Sequence, residues 1–211
     1  MKISISEIQE IHNPLILPWL DLYETAFPPS ERSLVSSHIE DLIRPNTTST
    51  RKKHRLAAVD EEGQLVGIAR YTFIPEIPLV YLIYLAIVPE RRSRGIGEQL
   101  FEEVRLRCQQ SYPTLELIGW EVEDPDGTQT ADERIAAERR IHFYSRLGAR
   151  RLYGVDHTIQ NRIDLPIVPM YVMATTVPNI SFLDLSESTA IDALEQHFRF
   201  KPNGETPVSL R

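Results

Sequence analysis

The stretch Leu79–Val104, LVYLIYLAIVPERRSRGIGEQLFEEV, constrains this chain more than any other. An apolar run from Leu79 to Val88 stops at Pro89, and a basic turn, Arg91–Arg94, leads into Gly95-Ile96-Gly97. Ile96, Leu100, Phe101, Val104 and Cys108 then recur at helical spacing. The run is too apolar for an exposed edge, so it predicts a strand covered on both faces. A strand, a glycine turn and a helix start in that order make an anion site. The first helical N–H groups lack intrahelical acceptors, and the helix dipole adds partial positive charge there. Glycine lets a phosphate approach the backbone and supplies positive φ where a turn needs it. The segment therefore predicts a site for a phosphorylated ligand.

Two common phosphate motifs are excluded. A third glycine for the dinucleotide fingerprint is missing, and no Lys-Ser or Lys-Thr follows the glycines as a P-loop requires. What fits is Arg92-x-x-Gly95-x-Gly97 directly after a strand. This resembles the pyrophosphate loop of the GNAT superfamily of acetyl-CoA-dependent N-acyltransferases. A second segment, Ile141–Ala149 (IHFYSRLGA), carries Tyr144-x-x-x-Gly148. It is similar to the later motif of that family, in which a helical tyrosine points at the sulfur of coenzyme A. The two motifs and the element order between them extend the resemblance over residues 55–177.

Periodicity and breaker residues mark the remaining elements. A strand is expected over 2–6. Trp19, Leu20, Tyr23, Ala26 and Phe27 form a helix ended by Pro28-Pro29, and Leu34, Val35, Ile39, Leu42 and Ile43 form a second. A polar loop, 45–53, precedes strands 54–60 and 64–74, joined by the turn Asp60-Glu61-Glu62-Gly63. Strand 79–88 and the helix after Gly95 follow. Then come strand 114–123, an acidic loop 124–130, a helix over 131–147, strands 149–157 and 168–177, and a helix over 187–199. The order is β-α-α-β-β-β-α-β-α-β-β plus a C-terminal helix, an α/β (α+β) fold class. The resemblance implies the GNAT fold: a mixed, mostly antiparallel central sheet with helices on both faces. One domain is expected over 1–199, with a loose tail at 200–211.

Composition narrows the partners. Apolar content of 42% and charged content of 25% are those of an ordinary globular chain. A net charge of −7 disfavours nucleic acid and mildly favours a cationic acceptor. The single cysteine excludes an internal disulfide and suits a reducing cytosol; Cys108 falls on the apolar side of its helix, as packing. MKISISEIQEIHNP lacks a signal-peptide core, and the run Leu79–Val88 is about half of what spans a bilayer, so a cytoplasmic location without membrane contact is expected. His12, His38, His54, His157 and His197 are too scattered to predict a metal site, and His142 reads as a partly exposed helix residue. Oligomeric state is left open, a homodimer included.

The resemblance also implies roles. Strands 79–88 and 114–123 should lie side by side and splay at their ends, admitting the pantetheine arm of acetyl-CoA. The Leu85 N–H should polarise the thioester carbonyl, with Ile87 and Val88 holding the pantetheine. Arg92, Arg94, Gly95, Ile96 and Gly97 should hold the pyrophosphate. Tyr144 should protonate the leaving thiolate, its alternative role being ring packing. Many family members carry a glutamate in the middle of the third major strand; here Tyr81 occupies that position. Glu121 and Glu123 are the nearest carboxylates, and period-2 alternation puts them on one face. Glu121 is expected to take a proton from the amine through water and Glu123 to bind the ammonium; a solvated strand end is the alternative. In Phe27-Pro-Pro-Ser-Glu31-Arg32, Glu31 and Arg32 are expected either to contact the acceptor or to brace the loop. The reading is direct acetyl transfer from acetyl-CoA to a primary amine of a small molecule or peptide in a ternary complex. Transfer of a longer acyl group and a non-catalytic coenzyme A-binding sensor or interaction module are the alternatives.

Overall fold

The strands pair into one seven-stranded sheet. In the computed structural model, which describes residues 2–43, 51–77, 79–159, 164–178, 180 and 190–194, they are β1 (Ser4–Glu7), β2 (Lys52–Val59), β3 (Leu65–Ile74), β4 (Leu79–Ile87), β5 (Leu117–Glu123), β6 (Arg150–Ile159) and β7 (Val168–Thr176). Their spatial order is β1-β2-β3-β4-β5-β7-β6. Every neighbouring pair is antiparallel except β4 with β5. The mixed, mostly antiparallel sheet expected from the sequence is the sheet observed.

Helices cover both faces. α1 (Ile16–Ala26) buries Ile16, Trp19, Leu20, Leu22 and Tyr23 against Ala57, Ile68, Tyr84 and Ala86 of one face. α3 (Ile96–Ser111) buries Ile96, Leu100, Phe101, Val104 and Cys108 against the other, together with Tyr144 from α4 (Ala131–Arg146). The central strand β3 is buried along almost its whole length, as the two-sided cover requires. α2 (Val35–Ile43) is amphipathic, and an ionic cluster ties it to the sheet. Asp41 accepts from Lys53 at 2.6 Å, from Arg55 at 2.8 Å and from Arg70 at 3.0 Å.

Three boundaries differ from the sequence reading. α1 starts before the apolar repeat, because Asn13 Oδ1 accepts the Leu15 N–H at 2.9 Å and opens the helix early. β2 begins at Lys52, inside the stretch expected to be loop; residues 44–50 lie outside the described residues. β5 begins at Leu117 rather than 114, because a turn closed by Leu115 N–H to the Tyr112 carbonyl (2.9 Å) occupies the intervening residues. The helix expected over 187–199 is described only at 190–194, which is helical, and the 200–211 tail lies outside the described residues. Leu194 seats on Gly119 of β5, where a Cβ would stand 2.6 Å from its Cδ2.

Two local features position the site. Ile83 is an extra residue in β4: Arg70 pairs with Tyr84, but Tyr71 pairs with Leu82. Such a bulge resets the alternation of faces beyond it. At the start of α4, Thr130 Oγ1 accepts the Glu133 N–H at 3.2 Å, and the Glu133 carboxylate returns to the Thr130 N–H at 2.9 Å. This capping box satisfies donors that the first turn leaves free. Thr130→Ala should cost about 1 kcal/mol of stability in urea unfolding. A midpoint equal to wild type would mean the box adds nothing.

Candidate active site

The site begins where β4 and β5 part. Their parallel ladder covers only Leu79↔Leu117, Val80↔Ile118 and Tyr81↔Gly119. Beyond Tyr81 and Gly119 the two strands continue without pairing to each other, so a gap opens toward Ile87 and Glu123. Which backbone groups face that gap follows from the β3 side. The Val88 N–H donates to the Val66 carbonyl at 3.0 Å. Antiparallel pairs alternate, so Ala86 and Tyr84 also turn their polar groups to β3. Leu85 and Ile87 therefore turn theirs to the gap. The Ile87 carbonyl confirms this direction, because it accepts the Arg92 Nε–H at 3.1 Å. Val88, grouped with them in the sequence reading, spends its N–H on β3 instead. The Leu85 and Ile87 side chains lie half-buried on the α3 face.

The turn after β4 is shaped for an anion. Ser93 has φ +61° and Gly95 φ +76°. Left-handed residues interleaved with right-handed ones make successive N–H groups converge on a concavity. Gly95 caps α3 without any side-chain hydrogen bond to the helix start. Gly97 serves packing: a Cβ there would stand 3.3 Å from the Phe143 ring and 3.6 Å from Ile87 Cγ1. Ile96 is core, Arg94 is exposed, and Arg91 is held by buried Asp60 at 3.1 Å.

Across the gap, α4 delivers Tyr144. Its ring is packed by Phe101 (5.4 Å between centroids), Trp120 (4.7 Å) and Phe143 (5.0 Å). Among the described residues its hydroxyl makes no hydrogen bond. Burial pushes the phenol up, the nearby Arg140 opposes this, and Glu123 adds to it.

Three carboxylates and one arginine named from sequence meet different fates. Glu121 and Glu123 share a face of β5, as period 2 requires. Glu121 lies beside Tyr81; burial, then the charge of Glu121, push the Tyr81 phenol far up. Glu123, only 9% exposed, pairs with Arg140 of α4. Glu31 comes from the loop between α1 and α2 and faces Glu123. Its carboxyl is pushed from 4.5 to about 8, first by burial, then by the neighbouring Glu123, with Arg140 opposing and Glu133 adding. Glu31, Glu123 and Tyr144 thus converge, while Arg32 turns away to Glu24 at 2.8 Å. Ser33 pins the Glu31 loop to the sheet: its carbonyl accepts from Tyr23 Oη at 2.9 Å, and its N–H donates to Tyr84 Oη at 3.1 Å.

Sequence reasoning missed Arg140, although it precedes Tyr144 by four residues and so shares its helix face. It also missed Ser93, since nothing in a serine announces positive φ. Among the described residues no group of three His, Cys, Asp or Glu is placed to hold a metal ion, and no helix is long and apolar enough to cross a membrane. His54 bridges Glu7 (2.7 Å) and Tyr112 (2.6 Å) far from the gap, and Cys108 is buried.

A split parallel pair, a left-handed glycine turn and a tyrosine-bearing helix together define a class of acyl-group-transferring fold. The chain belongs to the acetyltransferase (GNAT) family, whose model matches residues 16–149. No curated protein matches it in sequence. A solved structure from Bacteroides thetaiotaomicron assigned to the GNAT family superposes with TM-score 0.64 at 20% identity, over 92% of this chain and 96% of the other. An aminoglycoside 6'-N-acetyltransferase complexed with coenzyme A superposes with TM-score 0.60 at 22% identity, over 84% and 99%. A spermidine N-acetyltransferase from Vibrio cholerae, in complex with CoA and spermine, does so with TM-score 0.60 at 12% identity, over 83% and 96%. At these identities the likeness is one of fold.

The Glu31 shift has a consequence for stability. Native Glu31 keeps its proton where the unfolded chain has lost it, so the folded state binds the extra proton between 4.5 and about 8. Stability therefore falls as pH rises through that window. Glu31→Gln keeps a neutral donor to Glu123 and removes the titration. The melting temperature of the variant, relative to wild type, should climb between about pH 5 and about pH 8.5. A difference that stays flat with pH would put Glu31 in the ordinary carboxylate range.

Proposed function

We propose that this protein transfers an acetyl group from acetyl-CoA to a primary amine of a small molecule or peptide, by direct attack in a ternary complex. The single observation that carries the reading is the gap beyond Tyr81 and Gly119, with the Leu85 and Ile87 backbone groups facing it and the Ser93–Gly97 turn at its mouth. A flat chain with amides and a carbonyl, as in pantetheine, matches backbone groups that have lost a partner strand. A diphosphate matches a concavity of N–H groups at a helix start beside Arg92 and Arg94. Bound there, acetyl-CoA supplies the thioester whose acyl carbon the amine attacks.

The chain's own groups then divide the work. The Leu85 N–H lies along the gap, where it donates to the thioester oxygen as charge builds on it. Tyr144 holds a proton that burial keeps on the phenol, and gives it to the departing sulfur. The acidic end of β5, Glu121 and Glu123, with Glu31 opposite, attracts an ammonium group and excludes an anionic acceptor. Glu121, beside Tyr81, orients the acceptor from one side of the gap mouth. Among the described residues the one hydroxyl paired with an imidazole named above, Tyr112 with His54, lies away from the gap, which fits transfer without an acyl-enzyme.

Two variants test the reading. Gly95→Glu puts a side chain and a negative charge into the turn, and isothermal titration should show acetyl-CoA binding weakened at least about tenfold in a folded protein. Unchanged affinity would remove the turn as the diphosphate site. Tyr144→Phe should keep acetyl-CoA affinity but lower acceptor-dependent free-thiol release by about 10²-fold. A fully active variant would leave Tyr144 as packing alone, and binding without any acceptor-dependent thiol release in wild type would favour a coenzyme A sensor.

A further inference from the structure

Charge beneath α2 does not balance. Arg55 of β2 and Arg70 of β3 stand directly opposite each other in the antiparallel register. Like charges so placed repel. Both are buried, at 3% and 6% exposure, where water screens little of that repulsion. Asp41 of α2 stands between them. Its Oδ2 accepts from Arg55 Nη2 at 2.8 Å and from Arg70 Nη2 at 3.0 Å, and its Oδ1 accepts from Lys53 at 2.6 Å. Three cations against one carboxylate leave two positive charges over. His38 of α2 does not add to them, because burial and then Arg70, Arg55 and Lys53 hold its imidazole neutral. Burial and then Arg70 push the Arg55 guanidinium down to about 10, with Asp41 opposing.

Hydrogen bonding falls short in the same place. Arg55 Nε and Arg70 Nε are buried without a partner among the described residues. Each lies two bonds from the Nη2 that Asp41 takes, so the two N–H groups flank that carboxylate. A guanidinium is a planar fork that receives two oxygens side by side. Here Asp41 engages each fork through Nη2 alone. His38 supplies a third nitrogen. Its Nε2 faces Arg70 Nη1 at 3.5 Å, and a guanidinium only donates, so the imidazole proton belongs on Nδ1, which is buried without a partner as well. Buried donors left unpaired cost stability. Surplus positive charge and unpaired donors in one cluster together call for an oxyanion. The cluster opens to solvent beside Lys53, whose side chain is 37% exposed.

We propose that the Arg55–Arg70 pair, with Lys53 at its mouth, is a binding site for a phosphate group. The group enters past Lys53 and sets its oxygens on the two Nε–H groups beside Asp41. A phosphate dianion closes the charge count, since with Asp41 it sets three negative charges against Lys53, Arg55 and Arg70. A monocarboxylate would leave one cation over. The site is separate from the turn at Ser93–Gly97. Trp19 and Tyr23 of α1 pack on His38, which puts the cluster on the α1 face, whereas that turn leads into α3 on the other. The inference does not depend on acetyl transfer. Occupancy would fasten α2, of which His38 alone is fully buried and Asp41 is the tie to the sheet. A phosphorylated small molecule, or free phosphate, thereby steadies α2 and the Glu31–Ser33 loop that leads into it.

The test is a melting-temperature titration of the full chain at about pH 8, where phosphate is a dianion. Sodium phosphate and methyl phosphate are the probes, with sodium chloride and sodium acetate at equal ionic strength as controls. Wild type and Gly95→Glu are run side by side, so that phosphate held at the Ser93–Gly97 turn is not counted. Phosphate should raise the melting temperature with concentration in both proteins, and by more than either control. Whichever probe acts at the lower concentration tells a free ion from an esterified ligand. Lys53→Gln, at an exposed position, should weaken the apparent phosphate affinity about two- to fivefold. Asp41→Asn should lower the melting temperature, and phosphate should raise it by more than it raises wild type. An aspartate with a structural role alone would give a loss that phosphate does not repair. In nitrogen-15 spectra of the arginine side chains, Arg55→Lys and Arg70→Lys assign the two Nε–H signals. Both signals should move with phosphate and stay in place with chloride. Four results overturn the proposal: a melting temperature that follows ionic strength alone, acetate as effective as phosphate, a response lost in Gly95→Glu, or Arg55 and Arg70 Nε–H signals that phosphate leaves unmoved.

Discussion

Three paired residues hold the two parts of this sheet together. β1 to β4 form one antiparallel block and β5, β7 and β6 another, joined through Leu79↔Leu117, Val80↔Ile118 and Tyr81↔Gly119. A longer ladder would close the gap and consume the polar groups of Leu85 and Ile87. A shorter one would leave the blocks joined only by packing. The short ladder survives because both strands are supported from elsewhere. β4 pairs with β3 over its whole length, and β5 with β7. Phe101, Trp120 and Tyr144 then fill the α3 face beneath the gap with edge-on and tilted ring contacts. The opening is therefore a built feature of a rigid sheet.

Two charge clusters of opposite balance flank the sheet. Around Asp41, Lys53, Arg55 and Arg70 place three cations on one carboxylate. His38 beside them is kept neutral, its imidazole pushed down to about 2 by burial and by Arg70, Arg55 and Lys53. Around Arg140 the imbalance is reversed. Breaking either cluster by removing its minority charge would leave like charges facing one another out of water, the costly case for buried ions. The first cluster fastens α2. The second lies at the mouth of the gap.

Much of the fold was legible because local rules and tertiary packing agree. The apolar stripe of α3 and the turn at Asp60–Gly63 each follow from residue type and spacing, and each forms. Boundaries were less legible where a side chain acts at a distance of two residues, as Asn13 does at α1. The Ile83 bulge was not legible at all: counting by twos through Leu79–Val88 puts Leu82 and Leu85 on opposite faces, yet both pack on the α3 side. Leu85 and Ile87 were named through family resemblance, not by counting along the strand. Glu31 could be flagged as unusual but not matched to Glu123, because their contact joins segments 92 positions apart and depends on where β5 ends. Arg140 shared a helix face with Tyr144, but one sequence does not say which face looks into the gap.

The hydroxyl bonds at Ser33 have a mechanical corollary. Tyr23 and Tyr84 fasten the Glu31 loop to the β1–β4 block, while Glu123 rides on the other block. The loop and Glu123 thus stand on different blocks, at the far side of a hinge only three residues wide. Anything wedged between β4 and β5 spreads them with the leverage of the unpaired strand lengths, so a small opening at the ladder becomes a larger one where the acidic groups sit.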